Sequence, residues 1–273
     1  MPGGEKKLTP LPEEVRLAQY LRGIGKLAIA FSGGCDSVLL ADFSARVLGP
    51  DSILLIHVNS PLTFSGEDRS AHEFAVSRNL PYLELPVDVL EDPRIVCNDK
   101  WRCYHCKKRI FSAIQSAAAS RGFSVLADGT NPDDRHDWRP GIAAADELGI
   151  LHPFSECGIG KRRIRLLARR AGLSVWTLPA AACLASRIPT GVPLKEEVLR
   201  RCGAAEQALA QLGFSGSRVR ALADGSASLE FRGPALSCAF RMEEKVCNVV
   251  RSFGFSRVVI HPSGYRQGSM NRL

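Results

Sequence analysis

The sequence predicts an α/β protein, a doubly wound parallel sheet covered by helices on both faces and followed by a smaller C-terminal α+β domain. Three observations carry this. Leu27 to Phe31 (LAIAF) is a short apolar run that stops at Ser32-Gly33-Gly34-Cys35-Asp36-Ser37, and a helical pattern starts at Val38. Further apolar runs alternate with helical segments as far as residue 130, the order expected of right-handed βαβ crossovers. From Lys195 that alternation gives way to short strands and helices of a different spacing.

In chain order, Glu13 to Arg22 has helical spacing and is ended by Gly23 and Gly25. The helix after the first strand runs to Leu48 and stops at Gly49-Pro50. Ser52 to Val58 (SILLIHV) reads as a buried strand, Ser65 to Arg78 as a helix with Phe74 and Val76 among its buried positions, and Tyr82 to Val87 as a third strand. A helix over Ile110 to Arg121 and a strand over Ser124 to Ala127 follow, then helices at Ala143 to Leu148 and from Lys161. In the C-terminal part, Glu196 to Gly213 is an amphipathic helix. Arg218 to Leu222, Ser226 to Phe231 and Arg257 to Ile260 are strands of a small antiparallel sheet, with a helix over Ala239 to Phe253. The boundary falls near Thr190 to Lys195, giving domains 1–192 and 193–273.

Composition bounds the function classes. With 273 residues and 45% hydrophobic content the chain can build a large core, and no apolar stretch is long enough to span a bilayer. The polar N-terminus lacks the apolar run of a secretory leader, so a cytoplasmic location is expected. Nine cysteines in a reducing compartment point to metal binding or sulfur chemistry rather than disulfides. A net charge of +8 suits RNA, nucleotides or acidic small molecules. Much of it lies in Lys161 to Arg170 and Arg218 to Arg220, without interleaved aromatics. A solvated helix face is therefore expected of the first cluster in preference to a nucleic-acid groove.

Four segments carry candidate chemistry. At Ser32 to Ser37, adjacent glycines let the backbone approach a ligand, and the helix behind them aims unpaired N–H groups at it. That is an anion seat without the lysine and spacing of a Walker A loop. In WRCYHCKK, Cys103 and Cys106 are spaced to reach one metal atom, and basic neighbours favour thiolates. A closed zinc site would need two more ligands, which Cys97, His105 or Cys157 could supply by folding. The strand ending at Ala127 delivers Asp128-Gly129-Thr130-Asn131-Pro132-Asp133-Asp134, readable as an ordinary turn or as ligand contacts. Leu178 to Gly191 (LPAAACLASRIPTG) places Cys183 four residues before Arg187 in a loop closed by prolines and a glycine.

SGGxDS after a strand resembles the PP-loop of ATP pyrophosphatases, of the adenine nucleotide alpha hydrolase-like fold. The ordered set SGGCDS, WRCYHCKK, DGTNPDD, WRPG, CLASRIPTG, RVR and GYRQGSMN is similar to the LarE family and covers almost the whole chain. The resemblance implies ATP-dependent sulfur transfer. A carboxylate of pyridinium-3,5-biscarboxylic acid mononucleotide is adenylated, pyrophosphate leaves, and sulfur replaces the activated oxygen. A second round converts the other carboxylate, for the nickel-pincer cofactor of lactate racemase. Adenylation is needed because a carboxylate is negative and holds a poor leaving group.

By position, the resemblance assigns Ser32, Gly33, Gly34, Asp36 and Ser37 to the ATP phosphates, with Asp36 a Mg²⁺ contact, and Asp128, Gly129 and Thr130, at the turn where the sheet again opens to ligand, are expected to bind ATP or its pyrophosphate beside them. Cys183 matches the sulfur-donor cysteine, which some members sacrifice. Cys103, Cys106 and Cys183 match the trio that in other members holds a 4Fe-4S cluster, and cluster-based delivery is the favoured expectation. Trp101, Arg187, Arg218 and Arg220 match substrate positions, although each arginine could serve a structural ion pair instead. Glu206 and Glu230 match acids at the family's trimer contact, where a metal could sit, and a homo-hexamer is implied. Outside partners would be the nucleotide substrate and a sulfide or other sulfur donor. A tRNA-thiolating enzyme, an amidating enzyme and a zinc-stapled nucleotide-binding module are the rival readings.

Overall fold

Alternation along the strands builds the architecture. The structure, a computed structural model, describes residues 9–64, 67–136, 140–178 and 182–266. Outside them lie residues 1–8, Ser65-Gly66 of the expected third helix, Trp138-Arg139 of WRPG, Pro179 to Ala181 before Cys183, and the end of the chain from Gln267. The first part contains α1 (Pro12–Ile24), β1 (Leu27–Ala30), α2 (Cys35–Leu48), β2 (Ile53–Asn59), α3 (Glu67–Ser77) and β3 (Tyr82–Pro86). It continues through α4 (Pro93–Val96), α5 (Arg102–Ala119), β4 (Leu126–Ala127), α6 (Pro140–Glu147), α7 (Pro153–Glu156) and α8 (Lys161–Arg170).

Leu27 and Ile29 of β1, with Ile53 and Leu55 of β2, enter the core beneath α1, α2 and α8. Ala28, Leu54 and Ile56 enter the opposite core, against Phe111, Ile114 and Ala118 of α5. Period-two alternation between two apolar layers is what a sheet buried on both faces requires. Each large side chain so buried contributes about 1.5–3 kcal/mol. All strands are parallel, in the order β3-β2-β1-β4. The chain winds outward from β1 to β3, then crosses to β4 on the other side of β1. The switch point of the sheet therefore lies between the carboxyl ends of β1 and β4, where ligands of such sheets bind.

The second part contains α9 (Glu196–Gln211), β5 (Arg218–Ala221), β6 (Ala227–Glu230), α10 (Pro234–Arg241), α11 (Glu243–Arg251) and β7 (Val258–Ile260). Its three-stranded sheet is mixed and not wholly antiparallel: β5 pairs antiparallel with β6, and β7 parallel with β6. The helical crossover through α10 and α11 explains this, since a parallel neighbour needs a long connection. The single helix expected from Ala239 is two helices meeting at Met242, the first opened by Pro234. The core around this sheet also takes in Leu62, Val87 and Ile95 from the first part and Leu184, Ala185 and Ile188 from the Cys183 loop. Val76 of α3, expected to be buried, is 65% exposed.

Candidate active site

The loop after β1 is folded on itself by its serines. Ser37 Oγ lies 3.1 Å from Ser32 Oγ, accepts from Ser32 N at 3.3 Å and donates to Gly34 O at 3.2 Å. Gly33 has φ +74°, which favours glycine, and Gly34 caps α2. The first helical bond is Val38 N to Gly34 O at 3.0 Å, so the amides of Cys35, Asp36 and Ser37 precede the ladder. They form the positive end of a 14-residue helix. Gly129 fits against this turn because it has no side chain. A Cβ there would lie 2.9 Å from Asp36 Cβ and 3.0 Å from Ser37 N.

Three further groups shape the seat. Lys161, the first residue of α8, donates to Asp36 Oδ1 at 2.6 Å and also contacts Oδ2. Burial pushes the Asp36 carboxyl up, against the pull of the Lys161 ammonium. Asp133 accepts from Lys161 N at 2.6 Å and so caps α8 with negative charge. Asp128 accepts from Thr130 N and Oγ1, both at 2.9 Å, and lies 2.7 Å from His152 Nδ1, whose other ring nitrogen is 3.1 Å from Asp146. Burial opposes charge on both Asp128 and His152, yet their pairing wins: Asp128 is held below the usual carboxylate range and His152 is raised.

A cavity of about 190 Å³ opens at this point, lined by Ser32, Asp36, Ser37, Asp128, Gly129, Thr130 and Asp134, and by Lys107 and Phe111 of α5. Among the described residues no three Asp, Glu, His or Cys side chains converge on one ion position. Mg²⁺ does not require that, since it binds through one or two carboxylates together with substrate phosphates.

Helix α5 links the cavity to the thiols. Cys103, Lys107 and Phe111 are spaced four residues apart and form one stripe. The stripe that lines the cavity thus continues about 6 Å further, to Cys103. The helix begins at Arg102, eight residues before the start expected from the sequence. Arg102 Nη2 donates to Cys103 Sγ at 3.4 Å, and although burial opposes its charge, the neighbouring cysteines, Cys103 first, hold the guanidinium pKa above its ordinary value. Burial, then the neighbouring Cys183 and Cys103, pushes the Cys106 thiol up to about 12. Cys183 is exposed, and all three cysteines are free.

The predicted substrate arginines lie behind the Cys183 loop. Arg187 has no exposed surface and pairs with Glu206 through two bonds of 2.9 and 2.8 Å, while donating to Ala182 O at 2.6 Å. The geometry it displays is that of the structural ion pair. Arg220 donates to Glu230 at 3.0 and 2.8 Å and to Ser186 O at 2.6 Å. Arg218 donates to Ser217 O at 3.0 Å and stands 3.7 Å from Glu206. Glu206 and Glu230 are thus buried inside the protein and paired with arginines, rather than placed at its surface as a trimer contact would need. Arg218, Arg220 and Arg232 also gather at the Tyr265 ring, where the excess of cations over Glu206 and Glu230 favours an anion. Trp101 is 41% exposed at the start of α5, beside Tyr104.

The basic helix α8 behaves as a structural face. Arg163 pairs with Glu13, Arg165 donates to the carbonyls of Trp176 and Leu178, Arg169 lies over the Trp176 ring, and Arg170 bonds Thr9 O. A wider cleft of about 840 Å³ runs along it, lined by Arg162, Arg165, Leu166, Arg169 and Trp176. Lys161, Lys107, His152 and Arg102 were not singled out in the sequence as site residues. Lys161 reads there only as the start of a basic helix.

Fold and site define a class, a parallel α/β protein with a PP-loop-like anion seat at its switch point and a second α+β unit. No protein-family model matches the chain. It is 31% identical to the pyridinium-3,5-bisthiocarboxylic acid mononucleotide synthase of Lactiplantibacillus plantarum, over 95% of this chain and 94% of that protein. An uncharacterised protein of Synechocystis sp. is 33% identical over 94% of the chain and 96% of its own length. One of Methanocaldococcus jannaschii is 29% identical over 88% and 91%. The chain belongs to the LarE family. Among the described residues, no helix is long and apolar enough to cross a membrane.

Proposed function

We propose that this protein is an ATP-dependent sulfur transferase that adenylates the carboxylates of pyridinium-3,5-biscarboxylic acid mononucleotide and converts them to thiocarboxylates. The observation that carries the reading is the α5 stripe: Lys107 and Phe111 line the cavity of the anion seat, and Cys103 is the next residue along. The α2 amides with Ser32 and Ser37 bind the pyrophosphate portion of ATP. Asp36 would hold the Mg²⁺ that accompanies ATP, and the Lys161 ammonium beside it contributes positive charge for the phosphates. A substrate carboxylate oxygen attacks the α-phosphorus, pyrophosphate leaves, and the carboxyl group loses the negative charge that repelled a sulfur nucleophile and gains AMP as its leaving group. Arg218 and Arg220 contribute positive charge for the substrate phosphate, and Trp101 a ring face for the pyridinium.

In this reading Cys103 and Cys106 of α5 and Cys183 of the neighbouring loop, all free, would hold a 4Fe-4S cluster. Such a cluster, when bound, would supply replaceable sulfur and spare the Cys183 side chain. In the same reading the assembly is a dimer of trimers. With ATP and Mg²⁺, pyrophosphate release should depend on the biscarboxylic mononucleotide, and the product should gain the mass of sulfur for oxygen. Release without the mononucleotide, or release stimulated by tRNA instead, would overturn the proposal. Anaerobically purified protein should carry about four irons per chain. One zinc would support the staple, and neither metal the sacrificial route.

A further inference from the structure

Asn98 is fully buried and has its backbone in the left-handed region, at φ +57°. Its side-chain amide donates to Pro189 O at 2.8 Å and to Val192 O at 2.7 Å. Its backbone carbonyl accepts from Gly191 N at 2.9 Å, and Val96 O accepts from Leu194 N at 2.8 Å. The side-chain oxygen accepts from Arg102 Nη1. That guanidinium reaches on to Ala185 O at 3.5 Å and to Cys103 Sγ at 3.4 Å. A continuous chain of bonds thus joins the segment after Cys183 to the helix that carries Cys103 and Cys106.

We infer that Asn98 and Arg102 are positioning residues, a clasp that holds the Cys183 loop against the CxxC turn of α5. The inference rests on the sulfur-transfer reading only for the use made of the three thiols. The residue type at 98 answers to two demands at once. A left-handed backbone selects glycine, asparagine or aspartate. Two carbonyls facing the side chain then exclude glycine, which has no donor, and aspartate, which would set oxygen against oxygen. Arg102 is the counterpart from α5. Its fork bonds Asn98 and Cys103 through different nitrogens, a geometry that a lysine ammonium does not reproduce. Arg187 secures the same loop from the other side, through Ala182 O, Cys183 O and Glu206. Cys183 is thereby exposed at the surface, with its own carbonyl, that of Ala182 and the segment after it all held by hydrogen bonds.

The test uses the full chain, freed of bound iron by a chelator and without ATP, treated with a short bifunctional maleimide and mapped by peptide mass. The wild-type protein should give a bridge from Cys183 to Cys103, counted against the total maleimide carried by Cys103. Asn98→Gly keeps the backbone conformation but removes the amide. It should lower that ratio about tenfold, the loss expected when two hydrogen bonds holding the loop are removed. Should that variant misfold, Arg102→Gln decides by the same ratio. An unchanged ratio in the folded variants, or no Cys183 bridge in the wild type, would overturn the inference. Neither result depends on pyrophosphate release, so failure of the ATP chemistry is read separately.

Discussion

Gly129 and His152 show how single residues fix the anion seat. A methyl group at Gly129 would collide with the backbone of Ser37, which cannot yield as a flexible side chain would. Gly129→Ala should therefore displace the β4 loop from α2, cost about 1–3 kcal/mol by denaturant unfolding, and weaken ATP binding. His152 stands between Asp128 and Asp146, and its raised pKa fixes the sign of the pH effect. A folded pKa above the unfolded value gives stability that is full below the unfolded value and lost as pH rises through the folded one. Asp128, lowered, adds stability above its unfolded value that is lost as pH falls through the folded one. His152→Gln should thus destabilise the protein most near pH 6, and thermal unfolding should find the gap from wild type narrowed at pH 9. Arg187 makes a harsher prediction. Arg187→Ala removes the two short bonds to the buried Glu206 carboxylate, leaving it Arg218 at 3.7 Å and the Val219 amide, and should cost about 3–5 kcal/mol in the same measurement. Contiguity decided which of these residues were legible. Ser32, Gly33, Gly34, Asp36 and Ser37 share one loop, whereas Lys161 meets Asp36 from 125 positions away, a pairing that only folding creates.

Helices and strands were legible to the extent that their signals are local. The β1 and β2 runs and the glycine stops of α1 and α2 are visible in the chain, because burial on two faces and a left-handed cap each leave a residue pattern. The start of α5 is not. Its cap, Trp101, makes no side-chain capping bond, and a run of cysteines among cations looks like a metal loop before it looks like a helix. That difference matters, because the helical spacing is what puts Cys103 on the stripe shared with Lys107 and Phe111. The parallel pairing of β7 was illegible for another reason. A strand's sequence records burial of its faces, whereas its direction is set by the connection that precedes it. At this scale Leu55→Ala, in the middle of β2, should lower stability by about 2–5 kcal/mol in chemical denaturation, with no specific effect on the thiols.

The whole molecule joins two chemistries that sequence order keeps apart. The parallel sheet presents an anion seat between β1 and β4. The second unit contributes Arg218 and Arg220, and Arg220 bonds the Cys183 loop through Ser186 O. The central claim of the proposed function is that Cys183 serves sulfur delivery and not the activation of the carboxylate. The most direct measurement compares wild type with Cys183→Ala in one reaction containing ATP, Mg²⁺ and the biscarboxylic mononucleotide, following pyrophosphate and the mass of the nucleotide. The account predicts that the variant still releases pyrophosphate in a first turnover and forms no thiocarboxylate. Thiocarboxylate at the wild-type level, or loss of pyrophosphate release from a folded variant, would contradict it.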